Sequence, residues 1–97
     1  MGYDKKKIGE RVYIARQSKG WKQFKLCDKA NISQSSLSEI ENGIAKISVE
    51  TLYKIAEALD VSVVHLLGED SISDLTDSER LEVEKFIKYI KGIRNHQ

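Results

Sequence analysis

The 97-residue sequence has no proline, a single cysteine and no long apolar run. One cysteine cannot form an internal disulfide, and no apolar signal core follows the first lysines, so we expect a cytoplasmic location. No apolar stretch approaches the roughly 20 residues that a membrane-spanning helix needs, so no membrane contact is expected. β-Branched residues do not alternate with polar ones over any long run. Together with the absence of proline, this predicts an all-α chain with one modest core.

Residue arrangements that support catalysis are also missing. The sequence contains no pair of histidines at useful spacing, no glycine-rich phosphate loop and no Cys/His or Ser/His arrangement. We therefore expect neither an enzyme nor a cofactor, and we expect no metal site.

The net charge of +1 is small, but the charges are unevenly distributed. The first 25 residues hold eight Lys or Arg and only two acids, whereas residues 69–84 hold one Arg and seven acids. Binding to phosphate depends on the local field rather than on the total charge, so the basic N-terminal region can still attract nucleic acid.

Residues 33–43 indicate a short helix with two unlike faces. Ser33 suits an N-cap and Gly43 suits a left-handed end. Leu37 and Ile40 lie three residues apart on one face. The other face carries short or hydrogen-bonding side chains: Gln34, Ser35, Ser38 and Glu39. Residues 23–31 predict another short helix just before it, with Phe24, Leu26, Cys27 and Ala30 as its apolar residues, and two short helices joined by a tight turn form a helix-turn-helix.

Several separated motifs resemble the Cro and phage-repressor type helix-turn-helix family, the XRE family. The similarity covers residues 8 to about 68. It implies a five-helix lambda-repressor-like DNA-binding domain over residues 1–68. The motifs are Ile8-Gly9-Glu10-Arg11, Arg16, Gly20-Trp21-Lys22-Gln23, Ser33-Gln34, Ile40-Glu41-Asn42-Gly43 and Ala56-Glu57-Ala58-Leu59.

The resemblance, with the side-chain chemistry, assigns roles to individual residues. Glutamine suits adenine, glutamate accepts from cytosine and serine is permissive, so the candidate base readers are Gln34, Ser35, Ser38 and Glu39. The family places phosphate contacts at the glutamine that opens the first motif helix, here Gln23, and in the loop after the second, here Asn42 and Lys46. Gln23 has the alternative of serving only its own helix end, and the two loop residues have the alternative of being merely exposed. Lys22 replaces the Ser or Thr cap that the family favours, and it either leaves the helix start frayed or contacts a phosphate. Arg16 and Glu41 match a structural ion pair of the family.

The remaining helices are predicted from caps and apolar stripes. Asp4 caps a first helix that runs to about Lys19. Ser48 caps a helix through Leu59, and Ser62 caps a short last helix of the domain. Other positions also depart from the usual family pattern in ways that the fold tolerates. Trp21 replaces an aliphatic core plug, and Asn31 replaces the glycine of the turn, where asparagine accepts a left-handed backbone.

A polar connector over residues 69–75 precedes an additional C-terminal amphipathic helix within residues 76–97. Thr76 and Glu79 form a capping box, and acids precede lysines along the helix as its dipole favours. An isolated helix of this length is marginal, so its apolar stripe needs cover. The stripe either dimerises or folds back on the domain. It comprises Val83, Phe86, Ile87, Ile90 and Ile93.

The resulting hypothesis is a sequence-specific transcriptional regulator of double-stranded DNA. We expect a homodimer that represses by occupying a near-palindromic operator, with helix 33–42 in the major groove. The alternative is an antitoxin-like interaction module that binds DNA together with a protein partner, with the C-terminal stripe as the partner surface.

Overall fold

The computed structural model describes residues 4–68 together with 76–78, 80–82, 84, 85 and 88. Within these residues there are helices and no strands, as the absence of proline and of alternating patterns predicted. Five helices are complete. They are α1 (Lys5–Ser18), α2 (Gln23–Ala30), α3 (Gln34–Glu41), α4 (Val49–Leu59) and α5 (Val63–Leu67).

Side-chain caps set the start of four of these helices. The Asp4 carboxylate accepts from the amides of Lys6 and Lys7 at the start of α1. Ser33, Ser48 and Ser62 each accept from an amide in the first turn of α3, α4 and α5. Such caps satisfy amides that have no partner within the helix. Only α2 begins without a side-chain cap, because Lys22 has no acceptor to offer.

The apolar residues of all five helices meet in one core. α1 packs against α3 and α5, α2 packs against α3 and α4, and α4 also packs against α5. The fully buried large side chains come from every helix. They are Ile8, Val12, Leu26, Leu37, Leu52, Ile55, Leu59, Leu66 and Leu67. This core supports α2 and α3 from behind and leaves their outer faces in solvent.

The helix ends agree with the predictions to within a residue, and one local prediction is wrong. α1 ends at Ser18 with Lys19 as its C-cap, and α2 ends at Ala30, where Asn31 adopts a left-handed backbone with φ 55°. Phe24 was expected to supply apolar packing surface, but it is 65% exposed. Leu26, Cys27 and Ala30 already fill the core-facing side of α2, and position 24 falls on another side of that helix.

The C-terminal segment is described only in part. The residues described after Thr76 are helical, and the amide of Arg80 donates to the Thr76 carbonyl at 2.9 Å. Glu82 and Lys85 lie beside the start of α4, where they line a shallow cavity with Ser48. The connector 69–75, Glu79 and the five apolar stripe residues lie outside the described residues, so dimerisation and backfolding both stay predictions. In the described part of the chain, no helix is long and apolar enough to cross a bilayer.

Candidate nucleic-acid interface

A tight turn joins α2 to α3. Asn31 is left-handed at φ 55°, and the amide of Ile32 donates to the Cys27 carbonyl at 3.0 Å. The chain then leaves α2 and enters the Ser33 cap, whose Oγ accepts from the amide of Ser36 at 3.1 Å. The sequence from α2 to α3 therefore forms a complete helix-turn-helix.

Burial raises the pKa of the Cys27 thiol, so this side chain stays neutral in the core.

The outer face of α3 carries the four candidate base readers. Gln34, Ser35 and Glu39 are exposed, and Ser38 is half-buried. Asn42 Nδ2 lies 3.4 Å from Ser38 Oγ, a long hydrogen bond near the end of the helix. Leu37 and Ile40 turn to the core on the opposite face. The fold therefore brings the predicted readers together on one accessible polar surface, and their contact with bases stays a prediction.

A buried polar joint holds this helix from behind. Arg16 Nε and Nη2 donate to the two carboxylate oxygens of Glu41 at 2.7 and 3.0 Å. The two side chains are only 7% and 4% exposed. Arg16 Nη1 also donates to the Trp21 carbonyl at 2.7 Å. Because α1 supplies the arginine and α3 the glutamate, this ion pair fixes the end of α3 against α1.

Gln23 extends the joint to the start of α2. Its Nε2 donates to Glu41 Oε1 at 3.1 Å, a contact that the sequence analysis did not anticipate. The side-chain hydrogen bond that Arg16 donates to Glu41 raises the pKa of the Arg16 guanidinium despite its burial, so this side chain stays charged. The side-chain amide nitrogen of glutamine carries two hydrogens, and one of them is donated to Glu41. The other hydrogen of Gln23 Nε2 can therefore be donated to a phosphate. Lys22, the other candidate here, is exposed.

The loop after α3 carries the other two phosphate candidates, Asn42 and Lys46, and both are exposed. The first turn of α1 supports this loop. Lys5 Nζ donates to the Ile44 carbonyl at 3.0 Å. The Lys6 stem packs against Gly43, where an added Cβ would come within 2.9 Å of Lys6 Cγ.

Lys5 and Lys6 are site residues that the sequence analysis missed. The three consecutive lysines at positions 5–7 were visible as charge, but nothing in the local pattern placed them beside a loop 39 residues away. Gly9 has a similar long-range role, because a Cβ there would collide with the Ile40 carbonyl at the end of α3.

Comparison with known proteins identifies the class to which this arrangement belongs. A helix-turn-helix family model, HTH_3, matches residues 12–66. The match covers all of α2, α3, α4 and their connections. The chain belongs to this helix-turn-helix family.

Particular relatives include regulators and an antitoxin. The transcriptional regulator ImmR of Bacillus subtilis is 32% identical over 74 residues, which cover 76% of this chain and 58% of ImmR. The antitoxin HipB of Escherichia coli is 26% identical over 80 residues, covering 82% of this chain and 91% of HipB. A crystal structure of the biofilm regulator SinR in complex with DNA superposes with a TM-score of 0.61 at 39% identity, covering 63% of this chain and 98% of that one. This chain thus spans little more than half the length of ImmR.

Proposed function

We propose that this protein is a transcriptional regulator that binds double-stranded DNA in a sequence-specific manner, with α3 in the major groove. The observation that carries the proposal is the outer face of α3. Its amide, hydroxyl and carboxylate groups are accessible, while the Ser33 cap and the Glu41 ion pair hold both ends of the helix. Major-groove reading requires hydrogen-bonding groups that are held in place, since each base pair presents a distinct pattern of donors and acceptors.

The proposed phosphate contacts lie at both ends of the motif. Lys22 and Gln23 stand at the start of α2, where free amides and the helix dipole favour an anion. Asn42 and Lys46 stand in the loop after α3, next to the first turn of α1. The likeness to SinR, whose structure was solved with DNA, supports DNA binding by this fold. The proposed role is that of a cytoplasmic DNA-binding regulator, as in the helix-turn-helix family to which the chain belongs, and not that of an enzyme.

We further propose that two copies bind together as a repressor. Two α3 helices on one side of the duplex would lie about 34 Å apart, which corresponds to half-sites one turn apart. The apolar C-terminal stripe is the proposed dimer contact, with backfolding onto the start of α4 as its alternative.

Selection from random duplexes tests the proposal. Purified protein is mixed with random double-stranded DNA at moderate salt, and the bound fraction is sequenced. We expect an inverted repeat whose half-site centres lie about one turn apart. The Gln34→Ala variant serves as the matched control and should change the enriched base at one position. The absence of any enriched motif would contradict sequence-specific binding.

A second candidate is an antitoxin-like module that binds DNA together with a protein partner. The observation that favours it is the alignment with HipB, which covers 91% of that antitoxin. Repeating the selection with and without the product of a neighbouring gene separates the two proposals. A motif that is enriched only in the presence of the second protein would favour the module.

A further inference from the structure

A group of lysines surrounds the Trp21 indole where α1 ends and α2 begins. The Nζ atoms of Lys25, Lys19 and Lys29 lie 5.1, 5.3 and 5.7 Å from the centre of the ring. At such distances the negative face of an aromatic ring attracts an ammonium group. Lys22 follows Trp21 directly and is exposed as well. These four lysines are named the lysine patch.

The indole is a fixed platform for the patch. The Trp21 amide donates to the Arg16 carbonyl at 3.2 Å, and the Trp21 carbonyl accepts from Arg16 Nη1 at 2.7 Å. The ring itself is half-buried and packs against the core. Because Arg16 is also paired with Glu41, the platform is connected to the joint that holds α3.

The lysine patch has no acidic partner within the described residues. Arg16 pairs with Glu41 and Lys54 pairs with Glu50, and neither of these ion pairs includes a patch lysine. Asp28 lies on α2 between two of these lysines in sequence, but it forms no ion pair with them. Three ammonium groups gathered around one ring, with exposed Lys22 next to it in the chain, produce a local positive potential that attracts a polyanion.

The position of the patch indicates which polyanion it meets. Lys22, Lys25 and Lys29 recur at helical spacing and therefore share one side of α2. Next to Lys22 stands Gln23, which is bonded to the end of α3. In helix-turn-helix proteins the first helix of the motif crosses the DNA backbone while the second lies in the groove. A DNA backbone that reaches Lys22 therefore continues along the patch.

We propose that the lysine patch binds DNA phosphates outside the base pairs that α3 reads, so that the contact surface extends beyond the half-site. This inference rests on the proposed DNA binding. A lysine ammonium is a point charge that does not distinguish bases, so the patch adds affinity to every sequence alike. Phosphate is favoured over an acidic protein surface because Lys22 of the patch adjoins Gln23, whose side chain is hydrogen-bonded to Glu41 of α3.

The salt dependence of binding tests the inference. The double variant Lys19→Gln/Lys25→Gln removes two charges from the patch, and Lys85→Gln/Lys88→Gln removes two exposed charges from the C-terminal segment as the matched control. Fluorescence anisotropy gives the Kd of each protein for the selected operator and for an unrelated duplex between 50 and 200 mM salt, values chosen because phosphate contacts respond strongly there. Circular dichroism verifies that both variants remain folded.

We expect the slope of log K against log salt to become shallower by about 1 to 2 for the patch variant, because each lost phosphate contact removes about 0.9. The ratio of Kd values for operator and unrelated duplex should stay unchanged. A patch variant that matches the control would overturn the inference, and an acidic protein surface would then be the occupant to test. If the wild type selects no motif but the patch variant still shows the shallower slope, sequence-specific reading fails while phosphate binding by the patch stands.

Discussion

α2 and α3 are each eight residues long, yet they begin differently and present different surfaces to solvent. Ser33 precedes α3 and caps it with its hydroxyl, and the helix exposes amide, hydroxyl and carboxylate groups. Lys22 precedes α2 and provides no side-chain cap, and this helix exposes lysines. Charged side chains attract phosphate from many orientations, whereas base reading needs a helix whose position is fixed. The two helices therefore suit different contacts with the same DNA.

The comparison depends on the joint between the two helices. Glu41, near the end of α3, accepts hydrogen bonds from Arg16 of α1 and from Gln23 of α2. One buried carboxylate thus sets the position of both helices relative to α1.

Glu41→Ala should have the largest effect. It leaves the Arg16 guanidinium buried without its counter-ion, and breaking a buried pair in this way costs about 3–5 kcal/mol of unfolding free energy. Urea denaturation followed by circular dichroism measures the loss. Glu50→Ala is the control, because it removes the exposed pair with Lys54 and should change stability by less than about 1 kcal/mol. Equal losses of unfolding free energy in the two variants would show that the buried pair of Arg16 and Glu41 contributes no more to stability than an exposed pair does.

Gln34→Ala and Lys46→Ala separate base recognition from phosphate binding. Gln34→Ala should weaken binding to the preferred duplex by about 1–3 kcal/mol and relax the preference at one position. Lys46→Ala should weaken binding to every duplex to a similar extent and reduce the salt slope by about 1. Titrations of both variants against the operator and an unrelated duplex measure these effects. If Gln34→Ala leaves both affinity and preference intact, the reading face has been placed on the wrong side of α3.

Ser33→Ala tests the capped start of α3. Losing the hydroxyl removes the acceptor for the Ser36 amide and should reduce stability by about 1 kcal/mol. Lys22→Ala at the equivalent position of α2 is the control, since no side-chain cap is lost there. Thermal denaturation of both variants compares the two helix starts, and an equal decrease in Tm would contradict the assigned cap.

Lys22→Ser should have the smallest effect on the unfolding free energy, and it should stabilise the protein. Serine provides the acceptor that α2 lacks, so we expect a gain of about 0.5–1 kcal/mol in unfolding free energy. DNA binding should nevertheless become weaker on all sequences, because a phosphate contact is lost. Denaturation and duplex titration on the same preparation test both effects. A variant that is more stable and binds DNA as tightly as the wild type would remove Lys22 from the phosphate contacts.

Most of the fold could be predicted from local patterns. Asp4, Ser33, Ser48 and Ser62 were predicted as caps, and the structure confirms each one. The left-handed turn at Asn31 was predicted from the tolerance of asparagine for that backbone, and the structure confirms it as well. Phe24 was placed wrongly, because an apolar residue in a short helix can point to the core or to solvent, and only the packing of α2 on α3 and α4 decides between them.

The candidate site was predictable to a smaller extent. The polar face of α3 follows from the spacing of Leu37 and Ile40, so its residues could be named from the pattern. The hydrogen bond from Gln23 to Glu41 and the support of the loop by Lys5 could not, because they join residues 18 and 39 positions apart. No cap or periodicity connects such positions.

The sequence by itself determined the helices, the turn between α2 and α3 and the polar character of the α3 face, because caps, left-handed turns and apolar periodicity act within a few residues. The tertiary structure alone decided which groups meet around that face. Packing of α1 on α3 seats Gly9 against the Ile40 carbonyl and brings Lys5 to the loop. Such contacts exist only once distant segments share one core, because their geometry depends on the packing of whole helices.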